Sequence, residues 1–410
     1  MNALVVGGAG YIGSIVAEEL VRARHSTIIL DDLSTGHRAA VPPLAFLVAG
    51  AIQDAERLRE AFTTKEIDCV IHLAAKSIVS ESVAHPDLYE RANVEYGKIL
   101  LDAMRDHGVK HMVFSSTAAV YDAAAPMPLR EDSPLKPGNP YGETKLRFER
   151  MLRERGETDG LRYVALRYFN VAGASIDRGE DHRNETHLIP LVIDAARGAK
   201  GPVPVYGSDY PTEDGTAIRD YIHVVDIADA HLRAMRYLAD GGESVTLNLG
   251  TGTGSSVRQV IRTVEEVTGL PVPTQDSPRR AGDPPVLIAS AGEAWRVLVD
   301  RAPRDLDLDD ATRVRLNGGR VTAIGKHIEP WHAIDAGCFV LTPAVFAALR
   351  AVGSAEALTV SSAMRQLVAQ SALGFAELAD VPWADVDTPV DRAAAERLLA
   401  CRAGATVAGR

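Results

Sequence analysis

The sequence predicts an α/β protein: a doubly wound parallel sheet followed by a smaller α/β lobe. Three observations predict it. Short apolar runs alternate with longer amphipathic stretches through about the first 170 residues, and that alternation builds a parallel sheet with helices on both faces. A glycine-rich turn joins the first apolar run to the first amphipathic stretch. An acidic residue closes the second run.

Taken in order, strand-like runs cover 3–7, 27–31, 45–48, 69–74, 112–115 and 163–168, and helix-like stretches cover 12–23, 55–62, 88–107 and 141–155. The segment SPLKPGNPY (133–141) is rich in proline and glycine, so it reads as a loop whose last residue opens a helix. From about residue 177 the pattern loosens into shorter elements. Near Leu298 it changes again, and VRLNGGRVTAIGK reads as a hairpin with Asn317-Gly318 as its turn. The expected units are 1–176, 177–298 and an appended 299–410, with a frayed tail beyond Arg402.

The 410 residues are 46% hydrophobic and 24% charged, a globular balance, with a net charge of −11. That acidity argues against a nucleic-acid partner, which draws a basic face. No run of eighteen apolar residues occurs, so no membrane-spanning helix is expected. MNALVVGGAG reads as a first strand and not as a leader. Cys69, Cys338 and Cys401 are too scattered for a disulfide framework or a metal cluster. A reducing cytoplasm and no metal are the expectation.

Gly7, Gly10 and Gly13 form G-x-x-G-x-x-G between the first strand and the first helix. Glycine there allows a tight turn and close approach of a pyrophosphate, and the helix start offers free N–H groups. The triplet alone is also an ordinary strand–helix turn. Asp31, eighteen residues after Gly13 at the end of the next strand, favours the ligand. Its carboxylate accepts from a ribose 2′-hydroxyl and repels a 2′-phosphate, so NAD is expected over NADP. Tyr141-Gly-Glu-Thr-Lys145 is Y-x-x-x-K at a helix start, with both side chains on one face. An ammonium beside a phenol lowers its pKa and fits the tyrosine for base catalysis near neutral pH. Thr117, within FSSTAAVY (114–121), follows the fifth strand at the carboxyl end of the sheet, where ligands bind. There its hydroxyl can bridge a substrate oxygen and the phenol.

With these motifs in place, the chain resembles the UDP-glucose 4-epimerase family of the extended short-chain dehydrogenase/reductases. VVGGAGYIGS, FSSTAAVY, NPYGETKL, LRYFNVAGA, GTAIRDYIHV and PRRAGDP carry the resemblance, in family order, over about residues 1–297. It implies a Rossmann-type domain and NAD-dependent 4-epimerisation of a UDP-hexose. It implies that Gly7, Gly10, Tyr11, Ile12 and Gly13 hold the NAD pyrophosphate and Asp31 the adenosine ribose. Leu73, Ala74, Ala75, Asn93, Ser115 and Lys145 would line the rest of the cofactor site, with Phe169 beside the nicotinamide. On the substrate, Thr117 would meet the sugar, Asn170, His187 and Leu188 the UDP, and Tyr206 the uracil. Arg219 and Arg280 would pair with the diphosphate and Asp283 with a ribose hydroxyl. Tyr141 would take the proton of the sugar 4-hydroxyl as C4 gives hydride to NAD. The 4-keto sugar would then turn before hydride returns. Helices 88–107 and 141–155 resemble the superfamily's homodimer interface.

The chain departs from that pattern in places. Ala51 replaces the aspartate that accepts from the adenine amine, a loss of about 0.5–1.5 kcal/mol. Asp122 replaces a glycine, and His187 an asparagine. Leu287 stands where some members carry a tyrosine that narrows the sugar pocket, which leaves UDP-N-acetylhexosamines open as substrates. From about 299 the family's closing segment is absent. LDLDDATRVRLNGGRVTAIGK, AIDAGCFVLTPAVFAAL and WADVDTPVDRAAAERL resemble instead the C-terminal half of sugar- or inositol-phosphate nucleotidyltransferases. Asp387 matches a metal-holding aspartate of that family, but its phosphate loop and partner aspartate are missing, so this segment reads as an incomplete α/β piece without transferase activity. The non-catalytic alternative is a degenerate or chimeric protein that binds NAD and UDP-sugar without turnover.

Overall fold

The computed structural model describes residues 1–290, apart from 184 and 281–282, and five strands of the remaining chain. Met1–Ser290 and Ala291–Arg410 are separate compact units.

In the first unit, β1 (Asn2–Val6), α1 (Tyr11–Arg22), β2 (Ser26–Asp31), β3 (Phe46–Ala49), α2 (Ala55–Thr63) and β4 (Cys69–His72) open the chain. Then come α3 (Val79–Ala84), α4 (Pro86–Tyr89), α5 (Tyr96–Asp106), β5 (His111–Thr117), α6 (Pro140–Asp159) and β6 (Arg162–Tyr168). The six expected strands are all present. Ala3, Leu4 and Val5 are fully buried, as a parallel strand covered on both faces requires.

The second half supplies β7 (Asn170–Ala172), α7 (Leu188–Ala196), β8 (Val203–Tyr206), β9 (Ile218–His223) and α8 (Val224–Ala239). It ends with β10 (Val245–Leu249), β11 (Gly254–Ser256), α9 (Val257–Thr268), β12 (Thr274–Ser277) and β13 (Val286–Leu287). The main sheet runs β3-β2-β1-β4-β5-β6-β10. Its order reverses between β1 and β4, the switch point where doubly wound sheets open a crevice. The seventh strand, β10, pairs parallel with β6 and was not evident in the sequence. On one face, Val224, Ile227 and Met235 of α8 pack with Ile15 and Leu20 of α1. On the other, Leu100 and Met104 of α5 pack with Phe148 and Leu152 of α6. Chain outside the main sheet forms β11-β9-β13, with β7 on β9, and the β12-β8 pair.

Two helices differ from expectation. The stretch 88–107 is interrupted by a π-helical turn over Glu90–Glu95, a distortion common near functional sites. α6 runs on to Asp159, where Gly160 ends it in a left-handed conformation, and Asn139 caps its start by accepting from the Gly142 amide at 2.9 Å.

The second unit contains β14 (Arg296–Asp300), β15 (Arg313–Asn317), β16 (Arg320–Gly325), β17 (Ala333–Val340) and β18 (Gly374–Glu377), which close a barrel. The expected hairpin is present as antiparallel β15 and β16, but Asn317 is itself paired with Arg320, so it ends a strand and is not a central turn residue. Asp387 and Cys401 lie outside the described residues. Among the described residues, no helix is long and apolar enough to cross a membrane.

Candidate active site

The chain leaves β1 in a turn that only glycine can make. Gly7 has φ 88°, and a Cβ there would sit 2.5 Å from the Ala74 amide. A Cβ on Gly13 would run into the Gly7 carbonyl. Gly10 is different: its Cβ would meet only that carbonyl, at 3.6 Å, with open space otherwise. Gly10 also caps α1 with no side-chain bond. The amides of Tyr11, Ile12 and Gly13 therefore start the helix without partners, and a pyrophosphate fits that cradle. Asp31 is buried, and its carboxylate accepts from Ala9 and Leu33 amides, each at 2.8 Å. Burial pushes its pKa up, against those two bonds. Leu73 and Ala74 both donate to the Val6 carbonyl at 2.8 Å, which brings 73–75 across the loop. Asn93 projects inward from the π-turn. Its amide bonds Lys76 N and O at 2.8 and 3.0 Å and the Thr144 hydroxyl at 3.0 Å. It braces the 75–78 segment against α6.

At the far end of β5, Tyr141 and Lys145 lie one turn apart on α6. Lys145 is buried, donates to the Ser115 carbonyl at 2.7 Å and sits 4.9 Å over the Phe114 ring. Thr117 ends β5, accepts from the Ala119 amide at 3.2 Å and contacts the Tyr141 phenol. Burial pushes Tyr141 up to about 12, with the Thr117 contact opposing. Burial pushes Lys145 down to about 7, with the Glu149 carboxylate opposing. Burial, and not the lysine, is thus the leading influence on the phenol. Desolvation of both groups dominates, and the ammonium bonds a carbonyl instead of the phenol.

A second cluster lies on β8, β9 and the turn before β13. Arg219 donates to the Asp283 carboxylate and, at 2.7 Å, to the Ile218 carbonyl. Arg280 lies 4.1 Å over the Tyr206 ring. In the β9–β13 register Leu287 stands opposite Arg219, and Leu287 packs against the core that holds Ala118 and Phe169. One strand pair therefore links Arg219 to the end of the sheet that carries Thr117. Asn170 opens β7 opposite Tyr221 of β9. His187 is not drawn into this cluster: its Nδ1 lies 2.7 Å from Glu180 and 2.8 Å from Glu185. Leu188 packs beneath β8 with Val203 and Val205.

Residues 3–250 match the NAD dependent epimerase/dehydratase family. The chain belongs to that family. It is 46% identical over 300 residues to a UDP-glucose 4-epimerase of Lacticaseibacillus casei, covering 73% of this chain and 91% of that protein. The UDP-glucose 4-epimerase of Brucella ovis, solved with NAD, is 47% identical with a TM-score of 0.69, over 70% of this chain and 89% of that one. The Bifidobacterium longum enzyme, solved with NAD+ and UDP, is 37% identical with a TM-score of 0.67, over 71% and 90%.

This family member also carries site residues that the sequence did not disclose. Glu149 accepts from Arg167 Nε and Nη2 at 3.0 and 2.7 Å and from the Ser116 hydroxyl at 2.5 Å. Arg167 continues to Tyr121 at 2.8 Å, and Tyr121 donates to Asn248 at 2.6 Å. This buried chain ties α6, β5, β6 and β10 together behind Lys145. One signal was available: Glu149 is four residues from Lys145 on the same helix face, and Arg167 interrupts the apolar run of β6. At Asp122, the side chain accepts from the Ala124 amide at 3.0 Å, which closes the turn. Ala51 offers only its carbonyl, which accepts from Asp54.

Proposed function

We propose that this protein catalyses the NAD-dependent 4-epimerisation of a UDP-hexose, interconverting UDP-glucose and UDP-galactose through a 4-keto sugar. One observation carries the reading: Thr117 ends β5 beside the start of α6, which bears Tyr141, and Leu287 packs at that end while standing opposite Arg219, which holds Asp283. The open cradle over Gly10 and the first-turn amides of α1 fit a dinucleotide. Bound NAD supplies a reversible hydride acceptor for C4 of the sugar.

Gly10, Tyr11, Ile12 and Gly13 hold its pyrophosphate, and Asp31 holds the adenosine ribose. Tyr141 removes the 4-hydroxyl proton while Thr117 holds the oxygen they share. Burial pushes the phenol up to about 12, so it serves as a base only when positive charge is brought beside it. Lys145 is the nearby group of this chain that can supply part of that charge. Arg219 and Arg280 keep the diphosphate fixed while the hexose turns. The substrate lobe begins near residue 177 and ends by Ser290, not at the expected 298, because Arg296–Asp300 is a strand of the second unit's barrel; within it, α8 packs on the main sheet and β10 joins that sheet.

The size of Leu287, packed near Phe169, supports a second reading, in which N-acetylated UDP-hexosamines also enter. Exposed Ile99 on α5 supports a homodimer through the 88–107 and 141–155 helices, and a monomer by light scattering would overturn it. The cytoplasm is the proposed setting. The deciding experiment incubates the NAD-loaded protein with UDP-galactose and measures UDP-glucose. Stoichiometric binding of NAD and UDP without conversion would favour the degenerate alternative.

A further inference from the structure

We propose that Glu180, His182, Glu185 and His187 form a binding site for one divalent transition-metal ion of the zinc class, which fastens the 173–187 strap across the dinucleotide loop. One ligand atom from each of the four residues lies within 4.8 Å of all the others. His187 Nδ1 is 2.7 Å from Glu180 and 2.8 Å from Glu185, and His182 Nδ1 is 3.4 and 3.1 Å from the same carboxylates. A tetrahedral zinc with bonds of about 2.0–2.1 Å holds its ligands about 3.3 Å apart. The four donors thus need only small movements to surround an ion. Two imidazoles with two carboxylates suit zinc, cobalt or nickel better than magnesium or calcium, which prefer oxygen alone.

Charge points the same way. The side chains of Glu180 and Glu185 are only 10% and 8% exposed. Among the described residues, their ion-pair partners are His182 and His187, with no lysine or arginine. The two nearly buried carboxylates are thus met by imidazoles alone, and a dication held by the same four donors would meet their charge more fully. Glu185 is also held from behind: its Oε1 accepts from Thr186 and His187 amides, each at 2.7 Å, which orients the carboxylate as metal ligands commonly are.

The position gives the ion a task. Tyr11 of the glycine loop donates to the Gly173 carbonyl at 2.6 Å, and its ring meets His182 edge-on at 6.2 Å. Arg178 pairs with Glu18 of α1 at 2.8 Å, and Arg183 reaches the Leu33 and Ser34 carbonyls, each at 3.3 Å. The strap therefore lies over the loop and over the segment that follows Asp31, and the quartet closes its end. Binding at the quartet is read without any sugar substrate, so it stands or falls separately from the epimerase reading.

The full chain, stripped with a chelator and desalted, is titrated with Co2+ and then with Zn2+. The expected result is one Co2+ per chain with the visible absorption of a low-coordinate nitrogen–oxygen site, displaced by Zn2+. Zn2+ should also slow proteolysis within 173–187. In His187→Ala affinity should fall by at least the ~10–100-fold that losing an outer-shell partner costs, and further in the double variant His182→Ala/His187→Ala. Circular dichroism and NAD binding verify the fold of each variant. Absence of stoichiometric Co2+ binding to the parent would overturn the proposal, as would unchanged binding in either folded variant.

Discussion

Replacing Tyr141 with phenylalanine removes one oxygen from the proposed site and little else. The ring keeps its edge contact with Tyr89, whose centroid is 6.4 Å away, and no cavity opens. The lost contact with the Thr117 hydroxyl costs about 0.5–1.5 kcal/mol of stability at most, so Tyr141→Phe should fold and retain NAD. The catalytic loss is larger. Base catalysis contributes about 10²–10⁴-fold, so kcat should fall by that range, or about 3–5 kcal/mol in the barrier. Initial rates with UDP-galactose at saturation, normalised to bound NAD, measure it. A pH series sharpens the test. Burial pushes the phenol up to about 12, so if it is the base, the parent's rate should rise with pH through an apparent pKa below that value. Each unit of lowering reports about 1.4 kcal/mol supplied by the cationic surroundings. A folded, NAD-loaded Tyr141→Phe protein within about tenfold of parental kcat would fall short of a base's contribution and refute the assignment.

Three further outcomes are expected. Asp31 should make the protein discriminate against NADP, and equal affinities in parallel fluorescence titrations of NAD and NADP would remove the ribose argument. Arg167→Met strands the buried Glu149 carboxylate, and removing one partner of such a pair costs about 3–5 kcal/mol; urea unfolding should register a loss of that size, and a change below about 1 kcal/mol, as for an exposed pair, would show the network to be solvated. His72 is buried with an unpaired Nδ1 between Phe114 and Phe148, and burial pushes it down to about 3. Its folded pKa is depressed, so its contribution is complete above about pH 6.5 and is lost as pH falls. By about pH 5 the loss is about 2 kcal/mol, which His72→Phe should spare; equal acid slopes in the two proteins would contradict this.

The sheet was legible because strands buried on both faces of a parallel sheet must be apolar throughout, and Ala3 to Val6 or Val70 and Ile71 carry no other signal. β10 was not legible for the opposite reason. Its sequence VTLNL lies at the sheet edge, with Leu247 40% exposed, so it shows no buried run. The π-turn at Glu90–Glu95 was equally silent, because it belongs with the three bonds Asn93 makes to Lys76 and Thr144, one of them on a distant helix. Tyr141 and Lys145 were legible as a pair because helical spacing is local. Their protonation was not, because desolvation depends on what the fold places around them. The spacing of Glu149 from Lys145 and the break Arg167 makes in an apolar run hinted at each, but their pairing was not legible until β6 and α6 bring them together in the interior.

The Glu180–His187 quartet is written in one stretch of sequence but brought together only by the fold. Glu-x-His-x-x-Glu-x-His is contiguous in the sequence, yet counting cysteines for metal ligands passes over it, because zinc-class ions also take imidazole and carboxylate. Spacing alone would not have been sufficient. Four such residues on a solvated loop repel or stay apart, and exposed carboxylates commonly hold no ion. The fold adds convergence, with both carboxylates nearly buried and Glu185 fixed by two amides. It also adds location, because the strap they close crosses Tyr11 of the dinucleotide turn. An ion there would couple metal content to the loop that is proposed to hold the cofactor, through a segment whose sequence carries ligand chemistry and whose burial gives that chemistry a reason to be used.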